Sequence, residues 1–285
     1  MQSGQRLYER LGIRPQDVDA EFQIRMIEKT KAFNPDAVAI SSHKLSLVSK
    51  QAYATLACYL EDNFVECTSR ARDLVVLAED LFFGRWREAV PDPKHGGRYP
   101  ADRWLTAPWV DEYRETLLWC TCLGGWKSAR RLSQYPRERT VDNVSERKSE
   151  APWYQLLAAY LRGDTTGSDF GLGGKLTGEP SAKLGSSERL IEEGRSKRLK
   201  LLSAMLRAIA AKDAATAQER IEQYLVYYRK NEFPTHNWDE KVAIDGTILV
   251  HLAEHEGLNV KVPPAYADYI VRLPSDDVTS VGDER

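Results

Sequence analysis

The chain has 285 residues, of which 42% are hydrophobic, enough to bury one large core or two smaller ones. Its 40 Lys and Arg nearly balance 42 Asp and Glu, and a net charge of −2 excludes a polybasic role in gathering nucleic acid or anionic lipid. No apolar run reaches the roughly 18 residues of a membrane span, and Met1 to Arg6 leads into charge rather than a signal-peptide core, so a soluble cytoplasmic chain without a membrane partner is expected.

The first 50 residues read as an N-terminal helical segment, followed by a helical domain over 51–162. Ala52, Leu56, Leu60 and Phe64 mark one helical stripe, and Leu74, Leu77, Leu81 and Phe82 continue with another in the same long segment. Gly84, Pro91, Pro93, Gly96 and Gly97 end it. A helix from about Trp109 to Leu123 stops at Gly124 and Gly125 and restarts at Trp126, ending at Tyr135 and Pro136. Residues 201–211 and 214–228 repeat this helix, tight turn, helix arrangement, with Leu123 lying over Ala211 when the two units are superposed.

Between them, Gly163 to Ser187 holds seven glycines and few large apolar residues, the composition of a flexible connection. It is not a phosphate loop, because Leu176 follows Gly174 and Lys175 where a Ser or Thr would hold magnesium. A C-terminal helical domain spans 188–273 and an acidic tail 274–285. The pattern throughout is all-α, helical hairpins packed in a bundle or a short solenoid-like array.

Charge is uneven along the chain. From Ala211 onward, 8 Lys and Arg stand against 14 Asp and Glu, a balance of −6. Glu232, Trp238, Asp239, Glu240 and Asp245 surround a connection containing Pro234, where an aromatic anchor and an acidic rim would suit a basic partner. The seven tryptophans, Trp86, Trp104, Trp109, Trp119, Trp126, Trp153 and Trp238, read first as packing between helices. Trp104 and Trp109, flanked by Pro100 and Pro108, are the pair best placed for an interface.

Catalytic chemistry is poorly represented. Cys58, Cys67, Cys120 and Cys122 have neither disulfide-framework nor zinc spacing and read as buried thiols. His251, Glu254 and His255 form HxxEH, which sets two imidazoles at i and i+4 on one helix face as inverted zinc proteases require. Such a site needs a third ligand from a later helix, and the 30 residues after His255 offer only Glu256, Asp268 and tail acids. His43, His95 and His236 have no clustered partner in sequence, and no cofactor is implied.

Two resemblances follow from the residues. Asp111 to Trp126, Trp153 to Asp164 and Asp245 to Pro263, in that order, resemble the immunity 49 family of bacterial polymorphic toxin systems over about residues 110–273. The resemblance implies a helical, non-enzymatic protein whose partner is a cognate toxin, neutralised in a stoichiometric complex. Leu7 to Ile13, a helix carrying Arg25, Lys29 and Lys31, then Asn34, Pro35 and Asp36, then Lys50 to Leu56, are similar in order to a J-domain. Asn34 stands where that family has the His of its His-Pro-Asp loop. The alternatives to an immunity protein are a helical-repeat adaptor and a zinc hydrolase using His251, Glu254 and His255.

Overall fold

A computed structural model describes residues 5–33, 41–83, 110–123, 125–135, 151–164, 186–235 and 237–273. Among them the fold is all-α, with no strand. The helices are α1 (Leu7–Arg10), α2 (Ala20–Phe33), α3 (Ser41–Leu60), α4 (Phe64–Phe83), α5 (Val110–Cys122), α6 (Trp126–Ser133), α7 (Ala151–Leu161), α8 (Ser186–Glu193), α9 (Lys197–Ala210), α10 (Ala214–Asn231) and α11 (Ile244–His255). Short 3-10 turns occupy Pro15–Asp17, Trp238–Lys241 and Pro264–Tyr269. None of these helices is long and apolar enough to cross a membrane.

The chain divides into two compact units, Met1–Val144 with Leu273–Arg285, and Ser145–Arg272. The division places α7 with the C-terminal helices, so the change of unit precedes the Gly-rich stretch at 163–187 from which the sequence set its boundary. Most of that stretch, the acidic tail from 274, and the Asn34, Pro35 and Asp36 motif lie outside the described residues.

In the first unit α3 and α4 form a long antiparallel hairpin, with α2 against α3, α5 against both helices and α6 against α4. The continuous stripe expected from Ala52 to Phe64 is broken by this hairpin: Leu60 ends α3 and Phe64 begins α4. Between them Asp62 takes the left-handed conformation at φ 59°. Leu56, Leu60, Leu74 and Phe82 are buried completely or nearly so, and Leu117 and Leu132 from α5 and α6 complete the core. Phe82 packs edge-on against Tyr113 and Tyr135 at 5.8 and 5.1 Å. Gly125 lets the α5–α6 turn approach α4, since a Cβ there would lie 2.9 Å from Val75 Cγ2.

In the second unit α9 and α10 form a hairpin that carries α11 and α7, with α8 beside α7 and α9. Its turn repeats that of α3–α4. Asp213 N–H donates to the Ala208 carbonyl at 2.9 Å and Lys212 N–H to Ile209 at 3.0 Å, as Asn63 donates to Cys58 at 2.9 Å and Asp62 to Tyr59 at 3.1 Å. Lys212 is left-handed at φ 58°, and Asn63 and Asp213 each present a side-chain oxygen to the first turn of the next helix. The α5–α6 turn, superposed on α9–α10 from the sequence alone, shares the same long hydrogen bond, Gly125 N–H to Cys120 at 2.8 Å. Four residues after each turn a small side chain, Cys67, Ala129 or Ala217, is fully buried where two helices meet. The burial pattern also repeats at a spacing of 150: Leu56 and Leu206, Ala71 and Ile221, Leu74 and Tyr224, and Val75 and Leu225 are buried, while Val76 and Val226 are exposed.

Candidate functional site

The connection from α10 to α11 is built residue by residue. Glu232 caps α10, and the Glu232 and Phe233 amides both donate to the Tyr228 carbonyl at 2.9 Å. Pro234 follows in an exposed turn, and Thr235 and Asn237 donate to the two carboxylate oxygens of Glu240, at 2.6 and 3.1 Å. Tyr228 OH donates to the Glu240 carbonyl at 2.5 Å. Lys241 donates to the Phe233 carbonyl at 2.8 Å, with its ammonium 4.4 Å from the Phe233 ring centroid. The connection rests on an aromatic floor of Tyr228, Phe233 and Tyr269, with Phe233 and Tyr269 centroids 4.8 Å apart. It is therefore a held turn rather than an open loop.

Both ends of this connection are tied to one cation. Arg198, in the first turn of α9, forms an ion pair with Asp245 at the start of α11, and its Nε stands 3.5 Å from Glu232 at the end of α10. The second oxygen of Asp245 accepts from Trp153 Nε1 of α7 at 3.0 Å. Asp245 is thus an interior group, 5% exposed, and cannot form the acidic rim for which its sequence position suggested it. Glu232 is also occupied internally, through Arg198.

The outward part is Trp238, Asp239 and Glu240. Trp238 and Asp239 are half-buried and Glu240 is exposed. Burial, reinforced by neighbouring Glu240, raises the Asp239 carboxyl above the usual aspartate range. Among the described residues no cation pairs with Asp239, a disposition in which an added positive charge would be favoured. Val226 is exposed on α10, and Arg229 lies 5.9 Å from the centroid of Tyr266.

The remaining sequence candidates fall elsewhere. Trp104 and Trp109 lie outside the described residues. His251 is half-buried and His255 exposed near the end of α11. Glu254, the base a zinc hydrolase would use, accepts from Arg272 at 2.8 Å, and Glu256 pairs with Lys212. Among the described residues no group of three or more His, Cys, Asp or Glu stands together as metal ligands. Cys58, Cys67, Cys120 and Cys122 are unbridged and buried. Comparison with known protein families, curated proteins and solved structures found no match to the chain.

The sequence did not foresee Arg198. It lies 34 residues before Glu232 and 47 before Asp245, and nothing in the Ser196 to Lys200 run distinguishes it from its exposed basic neighbours Arg195 and Lys197.

Proposed function

We propose that this chain is a cytoplasmic, non-enzymatic immunity protein that binds a cognate toxin protein in a stoichiometric complex and neutralises it. The observation that supports this reading is the Trp238–Asp239–Glu240 turn, an aromatic and two carboxylates at the surface of a connection braced from beneath. An aromatic beside incompletely compensated charge is the composition of an interface anchor, and bracing lowers the ordering cost of binding. The complementary partner is a basic protein face, attracted over a distance set by ionic strength. Holding a toxin at cellular concentration asks for an affinity on the order of nanomolar, about 12 kcal/mol.

The test is co-expression with the toxin encoded beside this protein's gene, using wild type and Asp239→Lys/Glu240→Lys. The reading expects wild type to rescue growth and the double variant, folded by circular dichroism, to lose rescue and bind with weakened, salt-dependent affinity. A wild type that neither rescues nor binds ends the immunity reading. A double variant that rescues fully moves the docking surface away from this turn, with Trp104 and Trp109 the next residues to substitute.

The recurring turn of α3–α4, α5–α6 and α9–α10 favours a second reading, a helical-repeat adaptor. Absence of a toxin gene beside this one would favour it over immunity.

A further inference from the structure

The turn between α3 and α4 serves helices other than its own. Asp62 Oδ2 accepts from the backbone N–H of Leu7, the first residue of α1, at 3.1 Å. Its neighbour Glu61 Oε1 accepts from the backbone N–H of Ala20, the first residue of α2, at 3.2 Å. Two consecutive carboxylates from one turn therefore cap the starts of two different helices, 55 and 41 residues away in sequence. Each satisfies an amide that its helix leaves open, and each places negative charge at the positive end of a helix.

Asp62 does this from an unfavourable backbone. At φ 59° glycine would be the usual residue, and an aspartate there carries a steric cost that glycine lacks. The equivalent turn of the second unit follows the same pattern, for Lys212 at φ 58° also reaches outside its hairpin, to the side chain of Glu256 just beyond α11. Gly12, Gly163 and Gly257 take the same left-handed conformation at other helix ends. Among the described residues, the two left-handed positions that lack glycine are the two whose side chains grip another element.

We infer that Glu61 and Asp62 form a latch that fastens the N-terminal segment 5–20 to the α3–α4 hairpin as a strap. The segment holds α1 of only four residues, too short to persist alone. It buries Leu7, Tyr8, Leu11, Ile13 and Val18 and packs α1 on α3. Opening the latch frees this apolar strap without unwinding the hairpin, because the hairpin's own turn bonds, from Asn63 to Cys58 and from Cys67 to Asn63, are separate from the capping bonds.

Hydrogen exchange of the full chain tests this. Asp62→Gly removes the grip and relieves the backbone, so amides in 7–13 should exchange about ten-fold faster while those of α3 and α4 stay unchanged or slow. Asp62→Asn keeps a side-chain acceptor and tolerates the left-handed conformation, so it should retain most of the protection in 7–13. Glu61→Ala, which removes the second cap, should accelerate exchange at Ala20 and its neighbours. The latch is overturned if exchange in 7–13 is unchanged in Asp62→Gly, or equal in the glycine and asparagine variants. It is equally overturned if the glycine variant loses protection throughout α3 and α4, since Asp62 would then serve the hairpin and not the strap.

Discussion

Trp153 and Asp245, 92 residues apart in sequence, meet in the interior of the second unit, where the indole N–H donates to the carboxylate at 3.0 Å. Trp153 is fully buried and Asp245 nearly so. Arg198 supplies the compensating charge to the second oxygen, so both acceptors of a desolvated carboxylate are satisfied. One side chain thereby joins α7, α9 and α11, and through Glu232 the same arginine reaches the end of α10.

Removing the carboxylate is therefore costly. Asp245→Ala strands the Trp153 N–H and removes the closer carboxylate partner of Arg198, and is expected to destabilise the protein by about 3–5 kcal/mol in urea unfolding. Trp153→Phe removes one donor but keeps most of the ring volume, with an expected loss of about 1–2 kcal/mol. Equal losses in the two variants would mean that packing, and not the ionic junction, supplies the stability.

The next residue, Gly246, gives a prediction whose sign depends on two opposed terms. Alanine in a helix interior gains up to about 1 kcal/mol over glycine. Here its Cβ would lie 2.7 Å from Tyr224 Cε1, and Tyr224 is 1% exposed with no room to withdraw. Overpacking costs about 1–3 kcal/mol, so Gly246→Ala should lower the urea midpoint despite its better helix propensity. A raised midpoint would show that α10 and α11 can separate without loss.

What the sequence disclosed depends on range. The stripes of Leu56, Leu74 and Leu206 are local, and they suffice for the all-α class. The α3–α4 turn is hidden in the sequence because Glu61, Asp62 and Asn63 contain no Gly or Pro, so the apolar spacing runs through it to Phe64. The candidate site was legible only in its outer half. Glu240 is exposed and Trp238 and Asp239 are half-buried, whereas Asp245 is drawn inside by Arg198 and Trp153, partners that no local pattern connects to it. An acidic balance of −6 likewise overstates the acidic surface, since Glu232 and Asp245 both face Arg198, a cation from outside the segment that balance counts.

Alkaline conditions should weaken the fold. Burial first, then Glu66 and Glu61, push the Cys58 thiol from 9.0 to about 11. Burial drives Cys67 and Cys120 upward as well, and Tyr224 and Tyr228 rise chiefly for the same reason. The folded state keeps these protons where the unfolded chain releases them, so their contribution is complete below about pH 9 and falls as pH rises toward about 11. The urea midpoint should drop progressively across that window, and the buried thiols should resist iodoacetamide until denaturant is added. A midpoint constant from neutral pH to about pH 10, or rapid native alkylation of Cys58 and Cys67, would contradict their burial.

The HxxEH motif supports a different kind of prediction, because spacing and surroundings disagree. His251 and His255 stand one turn apart on α11, as a zinc site needs, but the Glu254 carboxylate between them is engaged by Arg272 at 2.8 Å. Glu256, the nearest further acid in sequence, is paired with Lys212. A metal held by two imidazoles alone, one of them exposed, would be weak and would contribute little to folding. Treatment with a chelator should therefore leave the circular dichroism spectrum unchanged and the melting temperature within about 1 °C, and purified protein should carry under about one zinc per ten chains. Under the proposed immunity function, His251→Ala/His255→Ala should leave rescue of growth intact. Stoichiometric zinc that disappears in the double variant, together with a drop in melting temperature on chelation, would instead establish a metal centre on α11 and revive the hydrolase reading.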